Sequence, residues 1–225
     1  MGAGFAALCL MVNACGTVTT PHAAAPAAPI TFRTRPLTPT STVATTTTTA
    51  SVGPQHLLLQ TGPFLAAAST TTLGKPVDGV LCQQLEQLAY RYYVRLQVYD
   101  RGSSRAIPGG IGMLSAQPHA RPGGLIYTAS TCYYWLHTRA ADGVITVASP
   151  LKRKFTLGDF FAVWNQPLSR GRIALLKGHV TVLVNGRRWR GKVSAVPLRN
   201  HSQIELAIGR PVPRPTTTDW LASGL

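Results

Sequence analysis

The chain has 225 residues, 45% of them hydrophobic, with 22 Lys and Arg against 7 Asp and Glu and a formal net charge of +15. That length allows one or two domains, and so few acids leave little for catalysis by paired carboxylates. The four cysteines form no CxxC pair and no zinc-type spacing with histidines, which speaks against a structural zinc site.

Met1 to Ala14 reads MGAGFAALCLMVNA. The apolar run Phe5 to Val12 is too short to span a bilayer and ends in small residues, as a secretory leader does. Val12-Asn13-Ala14-Cys15 resembles a bacterial lipobox, in which cleavage before the cysteine frees its amine and the thiol carries a diacylglycerol. The expectation is a signal peptide over 1–14 and a lipid-anchored linker over 15–77, with lipidation at Cys15. The linker is rich in Thr, Ala and Pro and includes the run Thr45 to Thr49. It has few large apolar side chains to offset the entropy of ordering, so a disordered tether is expected. Leu57-Leu58-Leu59 and Phe64-Leu65 form an apolar island within it, able to dock on the domain or to fray.

From Asp78 the composition becomes globular. Residues 78–225 hold 19 of the Lys and Arg and all 7 acids, a net +12, on a length that can bury one core. Leu81, Leu85, Leu88 and Ala89 fall at helical spacing and predict a short helix over 80–91. Tyr92 to Tyr99 alternates as a half-buried strand does, and Asp100-Arg101-Gly102 turns the chain. Ala106 to Gly112 is an extended piece punctuated by glycine. Arg121-Pro122-Gly123-Gly124 is a turn, after which Leu125 to Ser130 and Cys132 to Leu136 extend. Val144 to Val147 is a strong β run stopped by Ser149-Pro150.

Thr156, with Asp159 three residues on, predicts a capped helix over 157–164 whose inner face is Leu157, Phe160, Phe161 and Trp164. Val180 to Val184, Asn185-Gly186 and Arg187 to Lys192 read as a hairpin. Val196 to Leu198 and Gln203 to Ile208 read as further strands. The expected fold class is mainly β (α+β), with small antiparallel sheets and one or two short helices after the disordered Thr/Pro-rich tether.

Cys9 lies in the leader and Cys15 at its end, which leaves Cys82 and Cys132 in the domain. In an oxidising compartment these two are expected to form a disulfide; two buried thiols are the alternative. The basic runs Lys152-Arg153-Lys154 and Arg187-Arg188-Trp189-Arg190 fall in predicted turns and read as solvated. No catalytic triad, P-loop or dinucleotide fingerprint is visible in the sequence.

Several short motifs recur together. They are Cys82 with Glu86, Pro108-Gly109-Gly110-Ile111-Gly112, Cys132-Tyr133-Tyr134-Trp135-Leu136-His137-Thr138, Gly143-Val144-Ile145 and Ser149-Pro150. Phe155-Thr156-Leu157-Gly158-Asp159-Phe160-Phe161, Trp164-Asn165-Gln166-Pro167-Leu168, Val184-Asn185-Gly186 and His201-Ser202-Gln203-Ile204-Glu205-Leu206 follow. On these, residues 79–215 resemble an uncharacterised family of exported bacterial domains. Its motifs include His-x-His-x-His-Leu on a strand, Cys-Leu-Tyr-Trp-Leu-His-Thr-His-Asp and Gly-Ile-Ile-His.

The resemblance implies a histidine cluster of the kind that holds a metal or moves protons. Here the three strand positions are Arg91, Tyr93 and Arg95. The second histidine of the later motif is Arg139, the acid after it is Ala140, and the histidine after the β run is Thr146. Only His137 is kept. One imidazole among guanidiniums repels a divalent cation, so no metal and no cofactor is expected.

Arg91, Tyr93, Arg95, His137 and Arg139 become a candidate ligand cluster suited to phosphate or carboxylate. Independently solvated arginines are the alternative. The function expected is that of a non-catalytic cell-envelope lipoprotein. It would be held to the membrane by its lipid and bind an anionic envelope polymer, an anionic lipid or a membrane-protein partner. Export sets nucleic acid aside. The competing expectation is a metal-binding protein or metal-dependent enzyme using His137, His179 and His201.

Overall fold

A computed structural model describes residues 51–68 and 73–225. The signal-peptide expectation for 1–14, lipidation at Cys15 and much of the linker lie outside the described residues. In chain order the strands begin with β1 (Cys82–Gln83), β2 (Tyr90–Asp100) and β3 (Ser103–Arg105). A long hairpin follows, β4 (Met113–Arg121) and β5 (Gly124–Tyr134), then β6 (Leu136–His137) and β7 (Val144–Ser149). Helix α1 (Leu157–Val163) precedes three two-residue strands, β8 (Leu168–Ser169), β9 (Arg172–Ile173) and β10 (Leu176–Lys177). The last elements are β11 (Val180–Val184), β12 (Arg187–Arg188), β13 (Gln203–Ile208) and helix α2 (Trp220–Ser223).

The fold is mainly β, as its alternating segments require. The main sheet runs β12-β11-β13-β2-β7-β6, with β3 pairing alongside β2. Two small sheets, β1-β5-β4 and β10-β9-β8, accompany it. Among the named strands every pairing is antiparallel except one: β13 runs parallel to β2, with Leu206 opposite Val98.

Period-two alternation puts Val94, Leu96 and Val98 of β2 on the buried face, with Ile145 and Val147 of β7 in register beside them. Helix α1 contributes Leu157, Phe160 and Phe161 to this core, followed by Trp164. Its start is fixed by a capping box. Asp159 N donates to Thr156 Oγ1 at 3.3 Å, and Thr156 N donates to Asp159 Oδ2 at 2.8 Å. Phe160 and Phe161 meet edge-on at 5.9 Å. Trp164 is fully buried, and its Nε1–H donates to Ala67 O at 2.7 Å, so the indole keeps a partner inside the core.

The β11–β12 hairpin turns on Asn185 (φ 49°) and Gly186 (φ 74°). Two positive φ angles give the turn that matches strand twist, and they explain why this pair of residues stands there. Cys82 and Cys132 form a disulfide across 50 residues with Cα atoms 5.5 Å apart. In the chain-entropy picture a loop of that length is worth roughly 4 kcal/mol.

Three expectations need correction. No helix forms over 80–91: β1 occupies its start, and Leu85 and Leu88 are 74% and 66% exposed. A short helix without a buried apolar stripe is marginal, whereas pairing with β5 and the disulfide hold Cys82 extended. Val196 to Leu198 is not a strand. A 3-10 turn spans Val193–Ala195, and only a single bridge, Thr156 to Pro197, follows.

The globular part also starts before Asp78. The apolar island docks, with Leu57 and Leu65 buried. The Gln60 side chain donates to Leu96 O at 2.6 Å and accepts from Ile107 N at 2.7 Å. No helix among the described residues is long and apolar enough to cross a membrane.

Candidate functional site

The register of the main sheet places Tyr93 opposite Thr146, and Thr146 opposite His137. Residues two apart on a strand share a face, so Arg91 and Arg95 lie on the same side as this row. The register therefore brings Arg91, Tyr93, Arg95 and His137 to one face, with Arg139 two residues past β6, but their side chains part into three groups.

His137 and Arg139 converge on Glu86. His137 is fully buried, with Nδ1 3.0 Å from Tyr134 O and Nε2 3.2 Å from Glu86 Oε1. Neither Nε2 nor Glu86 Oε1 has another hydrogen-bond partner among the described residues. Arg139 Nη2 donates to Glu86 Oε2 at 2.5 Å, a charge-assisted contact. The Tyr133 ring stands 5.4 Å from His137 and lies 5.8 Å under the Arg139 guanidinium. Burial pushes the Glu86 carboxyl up, but His137 and Arg139 together outweigh burial and hold it at about 2.

Arg95 is buried and serves the fold. Its Nη2 donates to Leu58 O at 2.8 Å and its Nη1 to Thr218 Oγ1 at 3.3 Å, which ties both the docked N-terminal segment and the C-terminal segment to the sheet. Burial lowers the pKa of this guanidinium, with Asp142 and Tyr99 opposing. Arg91 is exposed and sits 5.8 Å over the Tyr93 ring. The five residues thus form no shared open anion pocket: Arg139 is matched by Glu86, and Arg95 is spent on backbone and hydroxyl oxygens.

The open cationic surface lies at the β11–β12 edge. Two adjoining depressions of about 190 and 930 Å³ share His179, Thr181 and Arg188. Arg170 and Arg190 complete one, and Arg210 the other. Arg170 Nη2 donates to Arg190 O at 2.9 Å, and Trp189 Nε1 donates to Lys192 O at 3.0 Å, so the Arg187–Lys192 loop is fixed in place. Among the described residues no acidic side chain lines either depression.

The sequence marked Arg187-Arg188-Trp189-Arg190 as solvated turn residues. It gave no sign that Arg170 and Arg210 flank them, because strand order β12-β11-β13 brings distant loops together.

The three histidines of the metal expectation occupy separate places. His137 faces Glu86 and His179 faces the basic groove. His201 stacks on Trp220 at 4.8 Å, with Nε2 3.2 Å from Leu225 O. Among the described residues no group of three or more His, Cys, Asp or Glu could hold a metal ion. No protein-family model, no curated protein and no solved structure matches the chain.

Proposed function

We propose that this chain is a non-catalytic binding module of the cell envelope that takes an anionic polymer or anionic surface in the groove of Arg170, His179, Arg188, Arg190 and Arg210. The observation that carries the reading is the absence of any acid among the described residues lining that groove. Arg188 and Arg190 on the β11–β12 side and Arg210 after β13 meet no acidic partner among the described residues and present forked donors to phosphate or carboxylate. Arg170 is held beside them by Arg190 O, and the domain's net +12 draws an anion toward the groove.

Envelope location rests on the lipobox-like Val12 to Cys15 and on the resemblance to exported domains. The Cys82–Cys132 disulfide supports it, since such bonds persist in oxidising compartments. A lipid on Cys15 would hold the protein to the outer face of the membrane, and the Thr- and Pro-rich linker would set the domain's reach.

The test is titration of the full chain with inorganic polyphosphate at two ionic strengths. Going from about 0.01 M to about 1 M salt shortens the Debye length from roughly 30 Å to roughly 3 Å, and binding should weaken steeply. A combined Arg188→Ala and Arg210→Ala substitution should weaken it about tenfold or more at low salt, with Arg91→Ala near neutral. Binding indifferent to salt, or unchanged in the double variant, would reject the groove as the site.

A further inference from the structure

A second concavity has the opposite chemistry. It holds about 610 Å³ between the docked N-terminal segment, the Pro108–Met113 loop and the β4–β5 hairpin. That volume lies within the range of small-molecule sites, about 300–1,000 Å³. Its walls carry no charged side chain, and only Ser115 and Tyr127 bring side-chain oxygens. Leu59, Met113 and Leu114 line it, and Phe64 and Leu125, which also line it, are 60% and 48% exposed to water.

The walls also offer little to a peptide. Gly110 N donates to Thr138 O at 2.8 Å, Tyr127 N to Arg139 O at 2.8 Å and Met113 N to Gly110 O at 3.2 Å. Ser115 O already accepts from Ser130 Oγ at 3.1 Å, and Ser115 Oγ accepts from Thr131 at 3.0 Å. An inserted strand or loop would strand its own backbone polar groups here, whereas a hydrocarbon chain has none. Gly109 lets the Tyr127 ring pack close against the wall, since a Cβ there would stand 2.6 Å from the ring and displace it. The formal net charge of +15 favours an acidic head group on whatever amphiphile enters.

We infer that this cavity binds the hydrocarbon chain of an anionic amphiphile, a fatty acid or a phospholipid, with the head group left in water beside Phe64 and Leu125. The site is separate from the basic groove, and the two can fail independently.

The experiment is fluorescence titration of the full chain with cis-parinarate, run in parallel with vesicles containing a parinaroyl phosphatidylglycerol. The two arms distinguish a free fatty acid from a membrane lipid as the source of the chain. Saturable binding with one site per chain is expected in at least one arm. Ala116→Phe and Ala68→Phe each fill the cavity from a partly exposed position and should weaken binding about tenfold or more. Near-ultraviolet circular dichroism checks that each variant keeps its fold, and Arg188→Ala should leave binding unchanged. Lack of saturation in both arms overturns the inference, as does full affinity in both filled variants. So does a dimer that buries Phe64 and Leu125 and leaves the probe unbound.

Discussion

Glu86 is the residue through which His137 acts on the fold. Its carboxyl holds at about 2 against an ordinary 4.5, because His137 and Arg139 outweigh the cost of its burial. A carboxyl with a depressed folded-state pKa contributes stability above its unfolded pKa and loses it as pH falls toward the folded value. Glu86→Gln should therefore lower the unfolding free energy by roughly 1–3 kcal/mol at neutral pH, and the deficit should close between about pH 4.5 and 2. Urea unfolding of both proteins at pH 7 and pH 2 measures this; an equal deficit at both would refute the assignment.

Comparing the two proteins cancels the contribution of Asp142, whose sign is opposite. Burial raises that carboxyl to about 6, above its ordinary 3.8, although Val144 N–H and Arg95 oppose the rise. The folded state then holds a proton that the unfolded state releases, so Asp142 lowers stability as pH rises through that window. In the sequence Glu86 stood only as a motif residue beside Cys82. Its pairing with residues more than fifty positions on is a tertiary contact that periodicity does not encode.

Among the elements, α1 was legible in full because its information is local. Thr156 and Asp159 lie three apart, the apolar side chains follow at helical spacing, and the capping box forms with Leu157, Phe160 and Phe161 inward. Thr156→Ala should cost about 1 kcal/mol, read as a drop in thermal midpoint, while the fold keeps its near-ultraviolet spectrum. The segment 80–91 carries a similar spacing and fails as a helix. Spacing shows that one face could be apolar, but not that anything covers it, and Leu85 and Leu88 remain in water.

The hairpin at Asn185-Gly186 was equally readable, since two residues determine the turn. Strand β4 was not, because Ser115, Pro118, His119 and Arg121 give it no apolar alternation and most of it is exposed. It exists by pairing with β5, whose own alternation was visible only in pieces.

At the scale of the molecule, one covalent link and one docked segment complete the domain. A chain with Cys82→Ala and Cys132→Ala should lose roughly 2–4 kcal/mol, and its denaturation midpoint should no longer respond to dithiothreitol. If the midpoint of the unaltered chain also ignores the reductant, the disulfide does not contribute in this way. The docked segment shows why a boundary drawn from composition fell too late. Thr- and Ala-rich sequence surrounds Leu57 and Leu65, yet Gln60 closes hydrogen bonds to Leu96 of β2 and to Ile107 in the loop after β3, and Ala67 O receives the Trp164 indole. The candidate ligand cluster was half legible: alternation put Arg91, Tyr93 and Arg95 on one strand face, and their meeting with His137 and Arg139 hung on a strand pairing that the resemblance implied, while which arginine was already matched was not readable.

The one parallel pairing among the named strands, β13 against β2, bears on how the protein is made. β13 sits between β11 and β2 near the middle of the main sheet, yet it is drawn from residues 203–208. Until those residues leave the ribosome, β2 has an open edge and β11 has no partner there. The sheet closes only after residue 208 has been made, and pairings between such distant segments form slowly. A chain stalled or clipped before Gln203 would keep α1 and the β4–β5 hairpin as local units while the two halves of the sheet stayed unjoined.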